Sequence, residues 1–249
     1  MNPANASSFR RTACGLCLLV APALILVASI VDPGDGGDDN KDYLRALKDD
    51  PDMAQLSTAL YIVGFALMVV GIIGLVHVIR ERGVVLANIG GTLAILGLIF
   101  FTALVSTTIN DINVVEHLGV DTADKLSDDI EDYWVAFIVF IPALLGTFLG
   151  FILLGIAVLR SKVFHTAVGV LLIVSVLLLV FSGEGSQVFG IIANALLLAA
   201  FGMIGLKLLG LTDEQWEGRE PIGPGPEAPQ VGGPPAGGPP PAAGPPPAV

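Results

Sequence analysis

VVLANIGGTLAILGLIFFTALVSTTI, Val84 to Ile109, runs without a charged side chain between Arg82 and Asp111. About 20 residues at a rise of 1.5 Å cross the roughly 30 Å hydrocarbon core of a bilayer, so this stretch is long enough to span it as a helix. Only helices and closed barrels hide their backbone polar groups in lipid. The run is continuously apolar instead of alternating every second residue, which selects the helix.

Working outward from it, the same kind of run recurs at Thr12–Val31, Ala54–Ile79, Trp134–Leu159, Val163–Phe181 and Val188–Leu211. In a chain that is 53% hydrophobic and only 14% charged, against about 25% charged in soluble domains, there is no water-soluble way to cover that much apolar surface. The mean hydropathy of +0.79 says the same. The expected fold is all-α: a polytopic membrane helix bundle of about six transmembrane helices over residues 12–211. Arg10 and Arg11 precede the first span like the basic flank of a secretory signal. That span is longer than a signal's apolar core of about 7–15 residues, so it reads as a retained anchor.

Six spans divide the flanking segments into two sets, and Lys and Arg gather on the cytoplasmic one. Arg10, Arg11, Arg80, Arg82, Arg160, Lys162, Lys207 and Arg219 fall in the set with both termini, leaving Lys41, Arg45, Lys48 and Lys125 in the other. Residues 1–11 and the tail 212–249 are therefore expected inside, in the cell membrane. The inner segments then sum to +2 and the outer ones to −13, which together make the chain's −11. Acidic residues contribute little to insertion, so the outer excess is not a by-product of topology. It also removes any electrostatic case for nucleic acid as a partner.

The acid sits mainly in two outer loops, 32–53 and 110–133. In the first, Asp32-Pro-Gly-Asp-Gly-Gly-Asp-Asp-Asn40 lacks the one-three-five-six-twelve pattern of a helix-loop-helix calcium site. A short helix is expected around Tyr43–Leu47, and Asp50-Pro51 reads as the cap and first position of the next helix. In the second, Asp111, Glu116 and His117 are the candidate metal ligands. Adjacent Glu116 and His117 would point about 100° apart on a helix, and a solvated acidic helix is the plainer reading.

Within the six runs the sole Asp, Glu, Lys or Arg is Lys207, placed where its stem can snorkel to the inner surface. Ion-coupled carriers need ionisable groups at depth; their absence argues against a proton-driven pump. Asn88, Thr92, Ser175 and Asn194 are the polar residues at depth and the candidates for lining a solute pathway. Gly146-x-x-x-Gly150, Ala87-x-x-x-Gly91, Gly90-x-x-x-Ala94 and Ala195-x-x-x-Ala199 are spaced for close helix packing, within the chain or against another subunit. Pro142 removes one backbone bond from the fourth span. His77 and His165, at similar depth on different spans, and Cys14-x-x-Cys17 are too sparse to specify haem or a metal, and no cofactor is expected.

From Pro221 the chain is nearly all Pro, Gly and Ala, a composition that cannot bury a core and predicts an extended tail. The six-span plan, the basic turn Arg80-Glu-Arg-Gly83, Gly90-Gly91 and this tail together resemble multi-pass membrane proteins of high-GC actinobacteria that have no characterised activity. The resemblance implies a membrane bundle and transfers no site residues. Three readings stay open: a non-enzymatic structural or interaction component, with the bilayer and a second copy or another protein as partners; a small-solute channel or facilitator; and, ranked last, a membrane oxidoreductase or hydrolase.

Overall fold

The computed structural model describes residues 3–34, 39–131, 134–182 and 187–222. Among them it is all-α, with no strand: α1 (Pro3–Val31), α2 (Asn40–Asp49), α3 (Pro51–Val78), α4 (Val84–Ser106), α5 (Thr108–Leu118), α6 (Val120–Glu131), α7 (Trp134–Ser161), α8 (Thr166–Ser182), α9 (Gln187–Leu209) and α10 (Asp213–Glu217). Asp50 and Pro51 start α3 as the sequence predicts: the Asp50 carboxylate accepts from the Met53 amide at 3.2 Å and Pro51 takes the first turn. The missing proline N–H costs nothing there.

Five segments are long and apolar enough to cross a membrane: those built on α1, α3, α4 with α5, α7 and α9. The expected sixth, Val163–Phe181, is apolar but shorter. Lys162 adopts the left-handed backbone conformation, φ 56°, and ends α7. The Ala167 amide then donates to His165 Nδ1, and α8 begins only at Thr166. Its 17 residues give about 25 Å. In the five long segments only a third to a half of the most apolar stretch is buried. Leu16, Val63, Ile99, Leu145 and Leu206 point outward, an arrangement that suits lipid and not water.

The long helices pack in chain order around a closed ring: α1 on α3, α3 on α4, α4 on α7, α7 on α8, α8 on α9 and α9 back on α1. Small residues let the backbones touch. A side chain on Gly97 would strike the backbone of Gly146 and Thr147, and one on Gly150 would strike Ala94, so the Gly146-x-x-x-Gly150 pair is spent inside the chain on α4. Gly15 and Gly205 do the same between α1 and α9. Ala195 and Ala199 instead lie on the exposed side of α9. Leu18, Met68, Ile72, Leu75, Leu154, Leu172, Phe201, Ile204 and Leu208 are fully buried and fill the ring.

At one end, the acidic segments fold together. Tyr43, Leu44 and Leu47 of α2 pack with Ile112 and Val115 of α5 and Ala123 of α6. Asn40 donates to Asp124 at 2.9 Å, and the Lys41 ammonium lies 3.4 Å from Asp121 and 3.6 Å from Asp124. The two loops are thus one helical cap held by a small apolar core; its exposed ion pairs contribute little.

At the other end, the expected tail begins later than residue 212. Thr212 opens α10 with a reciprocal capping box to Gln215. Trp216 is buried against the His77 ring at 4.7 Å, its carbonyl accepts from Arg80, and Arg11 pairs with Asp213 at 3.2 Å. Burying Trp216 stabilises what composition alone would leave loose. Residues 223–249 lie outside the described residues.

Candidate functional site

Beneath the cap the ring encloses a cavity of about 360 Å³, within the roughly 300–1,000 Å³ range of small-molecule sites. All six ring helices reach it: Ile25 from α1, Phe65 from α3, Phe101 from α4, Phe148 from α7, Leu179 from α8 and Asn194 from α9. Asp32, Gly34 and Tyr43 line it at the cap end.

Its wall is aromatic because the residues recur at helical spacing. Tyr61 and Phe65, four apart on α3, stack at 5.7 Å, and Phe65 meets the Phe101 edge at 5.6 Å. Edge-to-face packing of this kind matches the ring quadrupoles. Phe151 lines the cavity and packs edge-on against buried Phe201 at 5.6 Å. Further along the same helices Leu75, Leu154, Ile204 and Leu208 are fully buried in the core and give the space an apolar floor.

Besides Asp32, Tyr43 and Tyr61, two polar side chains interrupt the apolar lining, Thr147 and Asn194. Thr147 Oγ1 is buried with no hydrogen-bond partner among the described residues. The Asn194 side chain, 6% exposed, lies in the same wall. A buried polar group left unpaired costs about 1–3 kcal/mol, and natural structures keep few of them. A bound molecule with one hydrogen-bonding end would remove that cost.

The cap closes over the site through Tyr43. Gly34 is pressed against the Tyr43 ring so tightly that a side chain there would overlap it. The Tyr43 hydroxyl lies 3.3 Å from Thr108 Oγ1. Burial pushes the phenol up to about 12, helped by the nearby Asp111 and Asp32 carboxylates and opposed by the Thr108 bond. Asp32 accepts the Gly34 amide at 3.1 Å. Burial pushes its carboxyl above the usual range, with the Gly34 and Ser57 hydrogen bonds pulling the other way. Gln187 at the start of α9 donates to the Ser29 and Asp32 carbonyls at 3.4 and 3.5 Å and ties the mouth across the ring.

Of the residues that sequence nominated for a pathway, Asn194 alone lines this cavity. Asn88 and Thr92 sit four apart on the exposed side of α4. Ser175 is buried and donates to the Leu172 carbonyl of its own helix at 2.8 Å. The nominated metal set is spread out: Asp111 is half-buried, Glu116 and His117 are exposed, and His117 Nδ1 contacts the Asn113 carbonyl at 2.9 Å. Among the described residues no three His, Cys, Asp or Glu side chains are grouped to hold a metal ion. His77 and His165 are not paired; one meets Trp216 and the other caps α8.

Asp32, Tyr43, Tyr61 and Thr147 are site residues that sequence reasoning missed. The signal was there for Tyr61 and Phe65, at i and i+4, but Asp32 and Tyr43 reach the cavity only because the cap folds back over the ring. No protein-family model, curated protein or solved structure matches the chain.

Proposed function

We propose that this protein is a non-enzymatic binding component of the cell membrane, whose pocket takes an uncharged, mostly apolar small molecule with a single hydrogen-bonding end. The observation that carries this reading is the aromatic cavity lined by all six helices, with the Thr147 hydroxyl, unpartnered among the described residues, and the Asn194 amide in its wall. Among the described residues no Lys or Arg lines the cavity, and Asp32 stands at its cap end, so an anionic ligand is disfavoured. The eight-to-four distribution of Lys and Arg supports placing both termini in the cytoplasm and the mouth outside. The apolar floor and the dispersal of Asn88, Thr92 and Ser175 weigh against an open channel.

The test is thermal unfolding of the detergent-purified chain with a panel of medium-chain alcohols and amides. A ligand at about one hundred times its Kd adds roughly 2.7 kcal/mol, enough to raise the midpoint by about 5 °C or more. Asn194→Leu, which removes the polar partner, and Leu197→Trp, which fills the space, should each reduce the shift. A wild-type midpoint unmoved by the whole panel, or an equal shift in both variants, contradicts the proposal.

A further inference from the structure

A second site lies at the opposite end of the ring and does not depend on the cavity reading. Between α1, α3 and α10 there is an open hollow of about 720 Å³ lined by Ser7, Arg10, Cys14, Gly74 and His77, with Trp216 beside them. Ser7, Arg10 and Cys14 fall at i, i+3 and i+7, so one stripe of α1 faces it. The absent side chain of Gly74 lets Cys14 sit against α3 and seals the base.

The polar groups here are unevenly satisfied. The Ser7 hydroxyl is buried, 7% exposed, and has no partner among the described residues. Arg11 is paired with Asp213, and Glu217, which also lines the hollow, is engaged by Arg219. Among the described residues Arg10 makes no ion pair with a carboxylate. The hollow therefore presents one uncompensated guanidinium and one orphan hydroxyl. Ala6 and Ile73 complete its wall, and Ile73 is 55% exposed on the apolar outer face of α3. A cationic, hydroxyl-bearing end that runs directly into membrane-facing apolar surface is complementary to a phosphate headgroup with an attached acyl chain.

We infer that this hollow binds an anionic phospholipid of the inner leaflet, its phosphate on Arg10 and the Ser7 hydroxyl and its acyl chain along Ile73. The lipid is the source favoured over free phosphate because the pocket wall continues onto Ile73. Guanidinium is suited to this role by its forked donors.

The full-length chain, in a Trp134→Phe background that leaves Trp216 as reporter, is reconstituted into phosphatidylcholine nanodiscs with increasing phosphatidylglycerol. Retained lipids are counted by native mass spectrometry. The expected result is a saturable Trp216 emission change and preferential retention of phosphatidylglycerol. Arg10→Gln reduces that preference about fivefold, Ser7→Ala reduces it less, and Arg10→Lys restores part of it. Equal preference in wild type and Arg10→Gln overturns the assignment. Loss of the bound lipid signal on adding millimolar inorganic phosphate to intact discs also overturns it, in favour of a soluble-anion site.

Discussion

Asp32 leaves the end of α1 with its carboxyl half-buried beside Tyr43 and held by the Gly34 amide. Burial raises its folded-state pKa above the unfolded value, so the folded chain binds the proton more tightly. Stability from this group is then greatest below the unfolded pKa and falls as pH rises through the folded one. Asp32→Asn, neutral at every pH and still able to accept from Gly34, is expected to flatten that part of the profile and to unfold at a higher temperature than wild type near pH 7. Melting curves from pH 4 to 8 check this; an unchanged slope in the variant contradicts the burial argument. A residue such as Asp32 was legible in the sequence only as one acid among many in a Gly-rich loop. What distinguishes it is a tyrosine that arrives from α2, and the spacing of residues along a loop does not encode that approach. Asn194 was legible, because a lone amide in an apolar run is conspicuous wherever the helix points.

The elements themselves were far more readable than their faces. Continuous apolar runs bounded by charge located the long helices to within a few residues of their observed ends, except that α1 begins at Pro3, nine residues before the predicted Thr12, and Asp50-Pro51 marked the start of α3. α8 starts three residues after the predicted Val163, behind a left-handed Lys162, a conformation that residue type does not announce. Which face of each helix turns inward was open: small-residue spacing occurs on both the Gly146/Gly150 stripe, which α4 covers, and the Ala195/Ala199 stripe, which nothing described covers. Gly97→Ala puts a methyl into the backbone of α7 and should push α4 and α7 apart. It is expected to cost about 1–3 kcal/mol, read as a lower midpoint in detergent. Ala195→Leu, on the exposed stripe, should leave the midpoint of the isolated chain within about 0.5 kcal/mol of wild type. Reversed sensitivities would mean that the ring order is wrong.

For the whole molecule, the charge asymmetry and the ring geometry describe one object from two sides. The acid gathered at one end belongs to a cap whose helices, α2 with α5 and α6, come from segments some eighty residues apart, as the Asn40–Asp124 bond shows. Read one loop at a time, each segment looks solvated; the shared apolar cluster appears only when they meet. The cavity was illegible for the same reason, since it needs inward faces from all six helices at one depth. Basic residues at the other end clasp α10 and shape the hollow beside α1. Asn194 lines a pocket under the cap, at the end of the ring away from the basic turns. With Cys14 and Cys17 replaced by Ala, Asn194→Cys should react with a membrane-impermeant maleimide added outside intact cells, and not when the reagent meets only the cytoplasmic face in inverted vesicles. Labelling from the cytoplasmic face alone, or equally from both, would contradict this orientation of the pocket.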